Sequence, residues 1–251
     1  MSDNWGLYFA DMAGHPASIV FDDGISDDID KLPHSFAFRL RLGLRSARPD
    51  GLTTDEEAET LDQIQRELEA SLGNEGGILL GRVTTNGIRW MLGLLSSEQS
   101  EASLSRLFAA TGYEFDLFVE PDPEKSVYWD DLYPDPDSRQ VLKDMLVLEQ
   151  LSKKGDKKDA VHAVQHWTYF KTKQGAEAFC NWLEAAGYQP SGVEKRGKFF
   201  SPEWLVRSHH DCTMKLDDIT HHTIKHRRQA EALSGVYDGW ETRIENGQGG
   251  S

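Results

Sequence analysis

Asn86-Gly87, set between the apolar runs Gly77–Thr85 and Ile88–Leu92, restricts the fold more than any other feature of this chain. Both residue types accept the positive φ angles of a two-residue hairpin turn, so the two runs are expected to pair as antiparallel neighbours. The segments on either side of this hairpin then limit what it can pack against. His34 to Leu42 alternates, with Phe36, Phe38, Leu40 and Leu42 on one face and Arg39 and Arg41 on the other, which predicts a half-buried strand. Thr54-Asp55-Glu56-Glu57 reads as a capping box in which Thr54 satisfies a free backbone N–H and Glu57 reaches back. Leu61, Ile64, Leu68 and Leu72 follow at helical spacing.

Beyond the hairpin, Ala102, Leu104, Leu107 and Phe108 predict a second helix that stops near Gly112, and Tyr113 to Val119 alternates as a final strand. From His34 to Val119 the order is βαββαβ. That is the ferredoxin-like arrangement, an antiparallel sheet covered by two helices on one face. Trp5–Ala10 and Pro16–Phe21, separated by the turn-like Ala13-Gly14-His15, form a first hairpin that extends the sheet. Four prolines among polar residues from Pro121 to Asp137 mark a boundary, with Tyr128-Trp129 suggesting local packing.

The second half begins with a helix carrying Val141, Leu142, Met145, Leu148 and Leu151, closed by the basic turn Lys153–Lys158, read as a solvated connection. A strand is expected over Val161–Phe170, then a helix over Gln174–Ala186 with Ala178, Phe179, Trp182 and Leu183 inward and Gly187 as its stop. Gln189–Lys195 and Trp204–His210 read as a hairpin, and a helix over Asp217–Leu233 follows. The order is again βαββα, with a sixth strand or an ordered tail from Gly235. The fold class is therefore α+β, two ferredoxin-like (βαββαβ-type) domains whose antiparallel sheets are each covered by helices on one face. The expected domains are 1–133 and 138–242, followed by a flexible tail over 243–251.

A chain of 251 residues fits two domains better than one core. Its charge of -15 is uneven: residues 1–137 hold 27 acidic and 10 basic side chains, residues 138–251 hold 15 and 17. The acidic half argues against a generic nucleic-acid surface, because it repels phosphates. It is read as a solubility device, with steering of a basic protein partner as the functional rival. The start, Met1 to Trp5, lacks a basic region followed by an apolar one, and no apolar run reaches a membrane span, so the expected location is cytoplasmic with no membrane partner. Cys180 and Cys212 lie outside any CxxC spacing and are expected to be reduced structural thiols.

No pattern demands catalysis. GxSxG, GxGxxG, P-loop and HExxH motifs are lacking, and the paired carboxylates Asp22-Asp23, Asp27-Asp28 and Asp130-Asp131 read as solvated loops. No catalytic residue, metal ligand or cofactor is assigned. His222 and His226, four apart on a helix, share a face, but with no further ligand evident they are read as a polar helical face rather than half of a metal site. A metal-dependent hydrolase built on His209, His210, His221, His222 and His226 is the alternative from another class. His162 and His166 share a strand face about 13 Å apart and cannot chelate one ion. On that strand Trp167 and Tyr169 share one face while His166, Thr168 and Phe170 share the other. An exposed aromatic face could stack bases, which makes direct RNA binding a third reading, though no RNP-type motif accompanies it. In Ser234–Thr242, Gly235 and Gly239 permit unusual backbone angles, Tyr237 and Trp240 supply apolar area and Asp238 can cap a turn.

Tyr237-Asp238-Gly239-Trp240, after a helix ending Ala230-Glu231-Ala232, resembles the terminal signature of the ribonuclease E activity regulator B family. Asp159–His166 leading into Phe170, then a helix ending Ala186-Gly187-Tyr188, is similar to that family's strand–helix unit. The resemblance covers 138–242. It implies a ferredoxin-like domain and a non-enzymatic regulator that binds a protein partner, ribonuclease E, and inhibits it. The partner-binding residues it implies are His166, Trp167, Tyr169, Tyr237, Asp238, Gly239, Trp240 and Glu241. The chain departs from the simplest members of that family, which are strongly acidic, because its residues 138–251 are nearly neutral. Trp5, Tyr8 and Pro16–Ile19 resemble, more weakly, the bacterial family called domain of unknown function 695, which implies no activity.

Overall fold

Asn86 (φ 48°) and Gly87 (φ 73°) adopt the left-handed angles of a tight turn and join β4 (Ile78–Thr85) to β5 (Ile88–Leu95). The computed structural model describes residues 4–98, 101–198 and 201–245, and divides into two units, Met1–Asp135 and Pro136–Ser251. In the first unit, β1 (Trp5–Met12) and β2 (His15–Asp22) form the leading hairpin, followed by β3 (Phe36–Gly43), α1 (Asp55–Glu75), the β4–β5 hairpin, α2 (Glu101–Thr111) and β6 (Phe115–Pro121). The sheet runs β1-β2-β4-β5-β3-β6, with every neighbouring pair antiparallel. Its last four strands have the ferredoxin-like order, and the first hairpin widens the sheet at β4.

The core of this unit follows from the two periodicities. Leu61, Ile64, Leu68 and Leu72 of α1 pack on Phe38, Leu40 and Leu42 of β3 and Met91 and Leu95 of β5. Each such fully buried side chain contributes roughly 2 kcal/mol of hydrophobic stabilisation. Gly93 allows the closest approach: a Cβ there would lie 2.1 Å from the Ile78 carbonyl oxygen and 2.5 Å from the Phe38 ring. Thr54 caps α1 as expected, accepting from the Glu57 N–H at 3.3 Å. Glu57 departs from the capping box. Its carboxylate accepts from the backbone N–H groups of Arg45 (2.6 Å) and Ser46 (2.9 Å) and from Tyr113 Oη (3.2 Å), because the loop before the helix carries free donors within closer reach. On the sheet face away from α1, the short helix α3 (Ser126–Trp129) and the turn after it are tied down: Tyr128 Oη donates to the Asp22 carbonyl and Tyr8 Oη to that of Leu132. Tyr128, Trp129 and Tyr133 pack ring against ring, which is the local packing the aromatic pair predicted.

The second unit contains α4 (Pro136–Lys153), β7 (Val161–Phe170), α5 (Lys173–Ala185), β8 (Gln189–Lys198), β9 (Ser201–Thr213), α6 (Leu216–Ala232) and β10 (Gly235–Glu241). Its sheet order is β10-β7-β9-β8, again ferredoxin-like, and the segment from Gly235 is a true strand. Two helix faces differ from the hydrophobic pattern. In α4 the buried residues are Gln140, Asp144 and Leu151, with Val147 and Leu148 half-buried in the apolar cluster around Leu151, while Met145 is 40% exposed, because the N-terminal part of the inward stripe carries hydrogen bonds. In α5 the fully buried alanine is Ala176, not Ala178, since the stripe runs Ala176-Phe179-Leu183. The basic turn is also more than a solvated connection. His162 places Nε2 2.9 Å from Asp156 Oδ1 and Nδ1 2.8 Å from the Ala160 carbonyl oxygen, with the side chains of both His162 and Asp156 buried. The expected tail from 243 falls mostly on 246–251, outside the described residues.

Candidate functional site

Among the described residues β10 is an edge strand, paired with β7 alone, and its register slips between Tyr237 and Gly239. The extra residue at this bulge resets the alternation, so Tyr237 and Trp240, three apart, are both buried. Asp238 is left exposed. Gly239 has φ 138°, an angle that side-chain-bearing residues rarely adopt, and this requires glycine at that position. Gly235 is required for a different reason: a Cβ there would lie 2.3 Å from the Phe170 ring.

Inside the edge sits one buried carboxylate. Asp144 is fully buried and accepts from Trp240 Nε1 (2.8 Å) and Gln140 Nε2 (2.9 Å) on Oδ1 and from Thr223 Oγ (2.5 Å) on Oδ2. Burial pushes its carboxyl above the ordinary range, and the three donors pull it partly back. One side chain thus joins α4, α6 and β10. Around it opens a groove of about 410 Å³ lined by Gln140, Lys143, Asp144, Val147, Trp167, Tyr169, Asp238, Gly239, Trp240 and Glu241. Six of the eight residues singled out in the sequence meet here, on both sides of the edge strand. The remaining two, His166 and Tyr237, are buried beneath the helices and do not line it. Gln140, Lys143, Asp144 and Val147 entered the groove unannounced. Their i, i+3, i+4, i+7 spacing on α4 was the available signal, obscured because three of the four are polar.

His166 and Tyr237 instead belong to a packed histidine cluster. His166 Nδ1 lies 2.7 Å from Tyr237 Oη and its Nε2 3.0 Å from His210 Nδ1. The His166 ring stacks on those of His226 (4.1 Å) and His210 (4.9 Å). Burial holds His166 well below the usual imidazole range and lowers His210 to about 3 and His226 to about 4. The expected polar helical face of His222 and His226 is corrected here. His226 is fully buried, with Nδ1 2.8 Å from the His222 carbonyl oxygen and Nε2 3.0 Å from Ser208 Oγ, because α6 turns this face onto the sheet. Cys180 packs at the edge of the apolar core and Cys212 faces the histidines, its thiol raised by burial to about 11. His209, by contrast, lies 3.2 Å from Ser191 Oγ on the other face of β9.

Residues 3–133 match the family model described as "Family of unknown function (DUF695)" and residues 143–242 the one described as "Regulator of ribonuclease activity B". No curated protein matches the chain. Among solved structures, a crystal structure of an unknown protein from Galdieria sulphuraria is 11% identical, with 84% of this chain and 99% of that one covered and a TM-score of 0.24. A putative glycine cleavage system transcriptional repressor is 9% identical over 84% of this chain and 98% of that one, with a TM-score of 0.27.

Proposed function

We propose that this chain, which belongs to the family of unknown function DUF695 and ends in a unit matching a regulator of ribonuclease activity, is a non-enzymatic regulatory protein that binds and inhibits ribonuclease E in the cytoplasm. The observation that carries the reading is the groove at the β10 edge. It collects Trp167, Tyr169, Asp238 and Glu241 within the matched residues 143–242. Half-buried aromatics beside exposed carboxylates suit a basic, partly apolar protein segment, the aromatics supplying contact area and the carboxylates orientation. Among the described residues no helix is long and apolar enough to cross a membrane.

The test is cleavage of a fluorogenic RNA by ribonuclease E from the same organism, with the purified chain added. Inhibition should be saturable, and Trp167→Ala or the pair Asp238→Lys and Glu241→Lys should weaken it at least tenfold. Unchanged cleavage, with no complex by size-exclusion chromatography at micromolar concentrations, sinks the proposal. A salt-sensitive shift of RNA by the chain alone, lost in Trp167→Ala, would instead support direct RNA binding.

A further inference from the structure

His210 and Cys212 lie two apart on β9, so both side chains point to the helix-covered face, and α6 lays His222 over them. Each of the three offers one ligand atom, and these atoms lie within 4.8 Å of one another. Among the fully buried rings, the nitrogens of His166 and His226 are all engaged. His166 uses both on Tyr237 and His210, and His226 uses both on Ser208 and the His222 carbonyl. His210 is the exception, with a buried Nε2 that has no hydrogen-bond partner. A buried nitrogen left unsatisfied is costly, and two imidazoles with a thiol are a donor set suited to a borderline-soft divalent ion.

We propose that His210, Cys212 and His222 bind one zinc-type divalent transition metal through the Nε2 atoms of the two histidines and the Cys212 thiolate. Binding releases the thiol proton to solvent. Cys212 and His222 also border a cavity of about 410 Å³ lined in part by Asp217 and Asp218, whose carboxylates complement the net positive charge of the loaded site. An outer shell is already in place. With its proton on Nδ1, His210 donates to His166 Nε2, and His166 in turn donates from Nδ1 to Tyr237 Oη. With its proton likewise on Nδ1, His222 donates to Tyr188 Oη at 2.8 Å. This set of tautomers leaves both Nε2 atoms free to ligate, the usual arrangement behind a metal-bound histidine. Tyr237, in the segment that marks the C-terminal unit, therefore acts as a positioning residue two hydrogen bonds from the ion.

The experiment uses the untagged full chain, stripped with chelator and titrated with Zn²⁺ by calorimetry and with Co²⁺ by absorbance. One ion per chain is expected, with a near-ultraviolet thiolate-to-cobalt band that Cys180→Ser retains and Cys212→Ser removes. His222→Gln should weaken Zn²⁺ binding at least tenfold, and Tyr237→Phe should do so by about tenfold or more, as loss of an outer-shell partner does. His209→Gln should change nothing. No stoichiometric uptake by the wild-type chain, or a cobalt band that survives Cys212→Ser, overturns the assignment. If Cys212→Ser fails to fold, Cys180→Ser still decides: it leaves Cys212 as the sole thiol, so absence of the band there refutes the site.

Discussion

Replacing Trp240 with Phe isolates the contribution of one hydrogen bond to a buried charge. Trp240 Nε1 donates to Asp144 Oδ1 at 2.8 Å, and Asp144 is fully buried with Gln140 and Thr223 as its other donors. A hydrogen bond to a charged group contributes about 2 kcal/mol. Exchanging the indole for a smaller ring in a site only 8% exposed adds about 1 kcal/mol of lost packing. Trp240→Phe should therefore destabilise the C-terminal unit by about 3 kcal/mol. Two controls separate charge from packing. In an Asp144→Asn background, where the acceptor is neutral and accepts about half as strongly, the same substitution should cost about 1 kcal/mol less. The pH dependence supplies the second. Asp144 has a folded-state pKa above its unfolded value, so the proton-linked stabilisation is present at low pH and lost as pH rises through the folded pKa. Removing the Trp240 donor raises that folded pKa further, so the deficit should be largest near pH 7 and shrink on acidification. Urea unfolding followed by far-ultraviolet circular dichroism at pH 7 and pH 5 measures both. A cost that is the same in both backgrounds and flat with pH would mean that Trp240 acts by packing alone.

Three further outcomes are expected. In the metal-free chain, His226 is held at about 4 by burial, so its contribution is present above the unfolded value near 6.5 and lost as pH falls from there towards 4. His166, His210 and His222 are lowered in the same way, so unfolding at pH 5 against pH 7 should register a loss that His226→Gln reduces by about 2 kcal/mol, the share of one such ring. Gly93→Ala should destabilise the N-terminal unit by about 3 kcal/mol, because the Ile78 carbonyl it would strike is backbone and cannot step aside. Thermal melts check this, and a neutral result refutes the close approach. Glu57→Ala strands the Arg45 and Ser46 N–H groups and Tyr113 Oη and should cost about 2 kcal/mol, with faster amide hydrogen exchange at residues 45 and 46.

The strands and their pairing were legible because local chemistry decides them: Asn86-Gly87 forces a turn, and alternation from Phe36 to Leu42 assigns a face. What stayed hidden depends on residues distant in sequence. Glu57 matches a capping box, yet its choice of Arg45 and Ser46 over the helix end is settled only by where the preceding loop lies. Hydrophobic periodicity placed α4 but not its buried stripe, because Gln140 and Asp144 are inward only once Thr223 and Trp240 arrive to meet them. The groove was half legible. Its β7 and β10 residues stood out as aromatics and carboxylates, whereas the bulge that turns Trp240 inward leaves no signature beyond one glycine. His210 and Cys212 alternate visibly, but His222 joins them only across the turn into α6.

The slip in β10 also bears on how readily a second copy of this chain could add to that edge. A regular edge strand offers an unbroken ladder of free N–H and C=O groups onto which any extended chain can add, the usual opening move of sheet aggregation. Here the ladder is interrupted at Asp238, with a second carboxylate three residues on at Glu241, so a sister molecule meets a broken register and like charge. Deleting Asp238 would restore an even pleat and remove one of those charges together, and the chain would become both less selective in what it binds and more prone to self-association.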